Sequence, residues 1–276
     1  MIKVVAEIGI NHNGSLELAI NLIDKAKLSG CDYVKFQKRN PDKSTPEHQK
    51  NKIKDSIWGP IKYIDYKNRL EFNRKQYDFI NNYCNENKVN WFCSVWDKDS
   101  VDFVKSYKNK NLGIVIKIPS ACINNIDLLT YARKCSDFLL ISTGMSTEEE
   151  VEKAIKVSQP DVIFHTNSSY PSFFDEINLN YITWLKNHYP GKIFGYSGHE
   201  RGYIPTILSL GLGVTWVERH ITLDKNMAGS DHASSLDDQE FSAMVKDIRI
   251  AERSLGLFGP RKLTDGENEK KSYLRA

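Results

Sequence analysis

Short apolar runs of β type alternate with longer amphipathic runs of helix type from one end of this chain to the other. The β-type runs are 2–9, 32–37, 90–96, 114–120, 137–143, 161–167, 192–198 and 215–222. Between them lie stretches such as "SLELAINLIDKAKLSG", where Ser15 stands ready to cap a helix and Gly30 to close it. Strands spaced by helices pair in parallel, because a crossover helix returns the chain to the same edge. Eight such units in about 255 residues have the size and rhythm of a (β/α)8 TIM barrel, an α/β fold. An open doubly wound sheet alternates too, but its first turn carries G-x-G-x-x-G, and "EIGINHNGS" does not. The barrel is expected over residues 1–258. The tail, 259–276 ("GPRKLTDGENEKKSYLRA"), loses apolar periodicity and reads as a linker.

One segment breaks the rhythm. Residues 38–72 form a long insertion between the second strand and its helix, polar but rich in aromatics ("SIWGPIKYIDYKNRLEF"). Loops of that length are either functional or disordered, and the aromatic content argues for order.

Composition removes several classes of function. A net charge of +3 with scattered basic residues gives no footprint for nucleic acid or an anionic membrane. No apolar run approaches the roughly 20 residues that span a bilayer, and "MIKVVAEIGI" enters a strand without room for a secretory signal. The five cysteines (Cys31, Cys84, Cys93, Cys122, Cys135) are odd in number and lack C-x-x-C spacing. They are expected to be small buried residues of a reduced, cytoplasmic protein.

Chemistry is legible at the strand ends. In "VIKIPSACIN" the isoleucines share one parity and Lys117 takes the other, so a lysine points away from the helix layer into the barrel. The same reading turns Glu7, Lys35, Gln37, Ser197, His199, Glu218 and His220 inward, pairs His165 with Asn167, and closes two further strands with Ser94 and Ser142. Barrel enzymes keep their active sites at this C-terminal face. A lone inward lysine pairs with a core glutamate as readily as it serves chemistry. A whole set of buried ionisable groups asks for more, since each charge must be compensated. Lys35 and Lys117, with Ser94, Ser120, Ser142 and Asn167, make a pocket for an anion, lysine giving charge and the neutral donors direction. His199 and His220 end neighbouring strands and are placed to share one divalent metal with open positions. His12 in "INHNG" is either a turn hydrogen-bonder or a ligand. "TNSSYPS" is no nucleophile elbow.

The motifs "AEIGINHNGSLELAINLIDKAKLSGCDYVKFQ", "IKIPSA", "ISTGMST", "HTNSSYP", "GYSGH" and "ERHITLDKNMAGSDHASSLD" resemble, in order, those of the sialic acid synthase family. The resemblance implies condensation of phosphoenolpyruvate with an amino sugar such as N-acetylmannosamine, giving a nonulosonic acid. It implies a divalent metal, manganese before magnesium or cobalt, on His199 and His220, and a phosphoenolpyruvate pocket from Lys35, Ser94, Lys117, Ser120, Ser142, Asn167 and Ser197. Glu7, Gln37, Tyr170 and Asp231 match residues around the sugar and metal. Glu7, Lys35, Lys117, His199 and His220 are the expected catalytic set, and a homodimer or higher homo-oligomer is the expected assembly.

Two departures stand out. The family usually continues into a small antifreeze-like domain that caps the partner's site, and this sequence reads as a short form without it. The insertion is therefore expected to substitute, its Trp58, Tyr63 and Tyr66 packing across the mouth or onto a second subunit. A phosphorylated sugar would need a further basic cluster, for which Arg39, Lys43, Lys50 and Arg201 are available.

Overall fold

In the computed structural model, which describes residues 1–256 and 258–275, the strands close on themselves. They are β1 (Lys3–Gly9), β2 (Tyr33–Lys38), β3 (Asn90–Val95), β4 (Val115–Ile118), β5 (Phe138–Ser142), β6 (Val162–Thr166), β7 (Ile193–Gly198) and β8 (Trp216–His220). Each pairs in parallel with its neighbours in the chain, and β1 pairs with β8 to shut the ring. Every β-type run of the sequence overlaps one of these strands. A helix follows each, from Leu16–Leu28 after β1 to Asp238–Leu255 after β8. The first begins where its cap residue sits: the Ser15 hydroxyl accepts from Leu18 N, and Ala19, Leu22, Ile23 and Ala26 face the barrel.

Alternation along the strands makes two cores. Val4, Ala6, Ile8, Val34, Phe36, Ile116 and Ile118 pack outward against the helices. Val5, Tyr33, Phe92, Val115, Leu140, Val162, Phe164 and Trp216 fill the lower lumen. Phe164 fits because Gly195 opposite has no side chain; a Cβ there would lie 2.6 Å from the ring. With its floor apolar and full, the lumen leaves only its upper end to polar groups.

The insertion is ordered by its own packing. It forms short helices Pro41–Ser44 and Glu47–Lys50, a hairpin pairing Ile53–Lys54 with Ile61–Lys62, and a helix Tyr63–Leu70. Tyr66 and Leu70 are buried against Ile10, with Trp58, Ile61 and Tyr63 around them. This corrects one expectation: Tyr66 is spent on anchoring the insertion to the barrel and is not free to lie across a sugar. Gly14 is required here, because a Cβ would run into the Arg69 carbonyl and its φ of +75° suits glycine.

The tail holds a helix, Asp265–Leu274, started by a capping box between Thr264 and Glu267 and burying no residue. Capping, not apolar periodicity, signals it; Ala276 lies outside the described residues. Among those residues the five cysteines are free, Cys84, Cys93 and Cys122 buried and Cys31 and Cys135 only partly so. No described helix is long and apolar enough to cross a membrane.

Candidate active site at the mouth of the barrel

The strand ends enclose a cavity of about 280 Å³. Its centre is a chain of buried charges. Lys117 Nζ lies 2.8 Å from both Glu218 oxygens, Lys35 Nζ lies 3.0 Å from Glu7 Oε2 and 3.4 Å from Glu218 Oε1, and Gln37 Nε2 donates to Glu7 Oε1 at 3.0 Å. Strand register explains the chain, since Glu7 aligns with Lys35 on one side and His220 on the other. Burial pulls Lys117 down to about 8, with Lys35 adding to the effect and Glu218 opposing it. Burial also acts to lower Lys35, but Glu218 and Glu7 together hold it above its ordinary value. Burial would raise Glu218, yet Lys117 and Lys35 hold it down to about 2. Two lysines thus face two carboxylates, and each ammonium retains donor capacity toward the cavity.

Hydroxyls ring one side. Ser94 donates weakly to Phe36 O at 3.4 Å, Ser197 donates to Glu218 Oε1 at 3.3 Å, and Ser120 accepts from Gly144 N at 3.1 Å. Together with Ser142 they line the wall beside Lys117.

Two imidazoles stand on the other side. His199 and His220 have ring centroids 5.4 Å apart. His199 Nδ1 donates to the Asn167 carbonyl at 2.6 Å, which leaves Nε2 an acceptor, and the Tyr170 hydroxyl donates to it at 2.9 Å. Burial, with His220 beside it, lowers His199 to about 3, so the ring is neutral as a ligand must be. His220 Nδ1 is buried without a hydrogen-bond partner, 3.8 Å from Asp231 Oδ2. Burial would raise Asp231, but His220 is among the groups that hold it below its ordinary value. The neutral His199 ring and the orphaned His220 Nδ1, beside the ionised Asp231, are a donor set that fits a first-row divalent ion. Among the described residues no three or more His, Cys, Asp or Glu side chains are gathered closely enough to hold a metal ion by themselves, so the candidate metal site rests on the two imidazoles.

All of the expected site residues line this cavity except Asn167. Strand β6 sends Val162, Phe164 and Thr166 inward, so His165 and Asn167 fall on the opposite parity. Asn167 Nδ2 donates to Glu176 O and its Oδ1 accepts from Ser169 N, leaving only its main-chain oxygen to the site. His165 likewise faces the helices, its Nε2 2.7 Å from Ile177 O and its ring against Tyr181. Thr166 and Ser168 take the place Asn167 was expected to fill. The bulk of Phe164 opposite Gly195 was the signal for the parity. His12 does not line the cavity and serves the turn as a hydrogen-bonder: its Nδ1 accepts from Gly14 N, a backbone hydrogen bond joins it to Gly9, and its ring stacks on Phe72 at 4.2 Å. Of the four basic residues considered for a second cluster, only Arg39 lines the cavity. Lys43 pairs with Asp99 at 2.7 Å and Lys50 with Glu47 at 2.8 Å, while Arg201 is exposed. Lys67, on the insertion's last helix, was missed and does line the cavity.

A closed parallel barrel whose charged groups gather at the C-terminal mouth, over a sealed apolar floor, is a barrel enzyme. Within that class the chain belongs to the NeuB family, whose profile matches residues 22–258. It is 35% identical to the N-acetylneuraminate-9-phosphate synthase of Drosophila melanogaster, over 99% of this chain and 75% of the relative. It is 33% identical to the N,N'-diacetyllegionaminic acid synthase of Legionella pneumophila, over 99% and 78%. A crystal structure of N-acetylneuraminic acid (sialic acid) synthetase from Leptospira borgpetersenii, in complex with citrate, superposes with a TM-score of 0.86 at 26% identity. That match covers 99% of this chain and 90% of the other.

Proposed function

We propose that the protein condenses phosphoenolpyruvate with an open-chain amino sugar or related aldose, releasing inorganic phosphate and a nonulosonic acid. The observation that carries this reading is the pairing of Lys35 and Lys117, buried side by side at the lumen's upper end, with the His199–His220 imidazole pair across the same cavity. Family membership supports it.

Lys117 and Lys35 supply the charge for the phosphate and carboxylate of phosphoenolpyruvate, and Ser94, Ser120, Ser142 and Ser197 supply directional donors. Glu7, Gln37, Tyr170 and Asp231 lie toward the sugar. The alkene carbon C3 of phosphoenolpyruvate attacks the sugar's C1, forming the carbon–carbon bond and leaving a cation at C2, and the aldehyde oxygen takes up a proton. Water adds to the resulting cation at C2, and Glu7, anchored by Gln37, is positioned to accept its proton. Cleavage of the bond between C2 and the bridging oxygen then expels phosphate, which takes up the proton of the new C2 hydroxyl, leaving a ketone. A divalent ion, manganese in our reading, would be held by His199 and His220 with Asp231 beside them and would supply Lewis acidity toward the aldehyde. No covalent lysine adduct is involved.

Phosphate release should be followed with phosphoenolpyruvate, manganese and a panel of plain, N-acetylated and di-N-acetylated hexoses. No release across the panel, or a borohydride-stable pyruvate adduct on Lys35 or Lys117 in the intact mass, overturns the reading. The free cysteines fit a reducing, cytoplasmic setting. We also infer at least a homodimer in solution, which light scattering checks.

A further inference from the structure

Four alternate strands of the barrel each send one side chain into a shared layer of the lumen: Lys35 from β2, Lys117 from β4, Phe164 from β6 and Glu218 from β8. Alternate strands fill a barrel's layers in this way. Three members of the layer are charged and line the cavity. The fourth is a phenylalanine with no exposed surface.

Phe164 has a specific partner there. Lys117 Nζ stands over its ring, 4.2 Å from the centroid, on the face where the π electrons concentrate negative charge. Below it the ring belongs to the apolar floor with Leu140, Val162 and Trp216, so water does not screen the contact. Gly195 on β7 leaves the ring the room it needs.

The contact fills a deficit. Lys35 has two carboxylates within reach, Glu7 at 3.0 Å and Glu218 at 3.4 Å. Lys117 has Glu218 alone, at 2.8 Å; Lys35 repels it, and Glu7 attracts it only from farther off. Burial accordingly draws Lys117 down to about 8, while Lys35 stays above its ordinary value. A second carboxylate beside Lys117 would hold its charge but would also repel an anionic substrate. A ring face attracts the cation and carries no net charge of its own.

We propose that Phe164 is a positioning residue for the condensation: its ring face takes the place of a second carboxylate, keeping the Lys117 ammonium charged and seated without adding negative charge beside the phosphate. The proposal rests on the reading of the cavity as the site of phosphoenolpyruvate, and it gives a chemical role to the residue that sets the parity of β6.

The test titrates Lys117 directly, by carbon NMR of protein labelled at the lysine ε position, its signal identified by its loss in Lys117→Met. Phe164→Leu should lower the midpoint by about one pH unit. Mono-, di- and trifluorophenylalanine in place of Phe164 keep the shape of the ring while draining charge from its face, and should lower the midpoint stepwise. The alkaline fall in kcat/KM for phosphoenolpyruvate should move down by the same amounts. A midpoint indifferent to fluorination overturns the proposal, even where Phe164→Leu shifts it through lost packing, and leaves the condensation reading standing. A midpoint that follows fluorination, in protein that turns over no sugar, upholds the pairing of Lys117 with Phe164 and defeats the condensation. If Phe164→Leu does not fold, the fluorinated series, which conserves the ring's volume, decides alone.

Discussion

Glu218 grips Lys117 with both carboxylate oxygens at 2.8 Å while one of them also reaches Lys35 at 3.4 Å. One buried carboxylate therefore favours the charged form of two lysines in a space with little water, with Glu7 adding to it at Lys35. Glu218→Gln leaves both ammonium groups short of compensation and should cost about 3–5 kcal/mol in urea unfolding. Combining it with Lys117→Met removes the stranded charge and should recover part of that loss. A double variant less stable than Glu218→Gln alone would show that the pair is not acting as a pair. In acid the sign follows the carboxylate: held down to about 2 from 4.5, Glu218 stabilises fully above the upper value and loses its contribution as pH falls through the lower.

The pH dependence of turnover should report Lys117. Burial sets it near 8, so it is a cation below that pH and neutral above. A phosphate dianion beside it favours the charged form and raises the value in the bound state. kcat/KM for phosphoenolpyruvate should fall above about pH 8, while kcat at saturating phosphoenolpyruvate holds to higher pH. A kcat/KM profile flat through pH 9.5 (with kcat equally flat) would mean that another group carries the phosphate's charge.

The barrel was legible because its signal is repeated: each strand is short, apolar on the outer parity and followed by a helix. Site residues were legible where a polar side chain interrupts such a strand, as Lys117 does between Ile116 and Ile118. The reading failed at β6, where His165 looks like the polar interruption but Phe164 is the residue the lumen needs, opposite Gly195. Arg39 and Lys67 lie outside the strand pattern. Lys67 belongs to an insertion whose fold is set by Tyr66 and Leu70 packing on Ile10, a contact across more than fifty residues that no local pattern announces.

Metal binding should depend on one fully buried ion pair as well as on the imidazoles. Arg219, between Glu218 and His220, donates to Glu200 Oε1 and to the Glu200 carbonyl, both at 2.6 Å, and Glu200 follows His199. Tyr196 adds a third bond to Glu200 at 2.8 Å. This pair ties the ends of β7 and β8 and so fixes the spacing of the two rings. His199→Ala and His220→Ala should abolish manganese binding in electron paramagnetic resonance titrations, and Glu200→Gln should weaken it about 10- to 100-fold in protein that remains folded. Unaltered affinity in Glu200→Gln would reduce the pair to a purely structural role.

Tyr66 tests what the insertion is for. Its ring is 3% exposed and packs against Trp58 and Tyr63, each at 6.2 Å between centroids, while its buried hydroxyl has no partner. Tyr66→Phe removes an unsatisfied polar atom and should be neutral or slightly stabilising. Tyr66→Ala removes the ring that joins the insertion to Ile10 and should cost about 3–5 kcal/mol of local packing. The barrel strands do not depend on that contact, so amide exchange should rise over residues 41–70 and stay slow in the strands. Arg39 and Lys67 reach the cavity from this segment, whereas Lys117, Ser120 and Ser142 sit on or just after strand ends it does not touch. KM for the sugar should therefore rise far more than KM for phosphoenolpyruvate. Equal increases for both substrates, with exchange still confined to the insertion, would mean that this segment holds the whole mouth in shape and does not select the sugar.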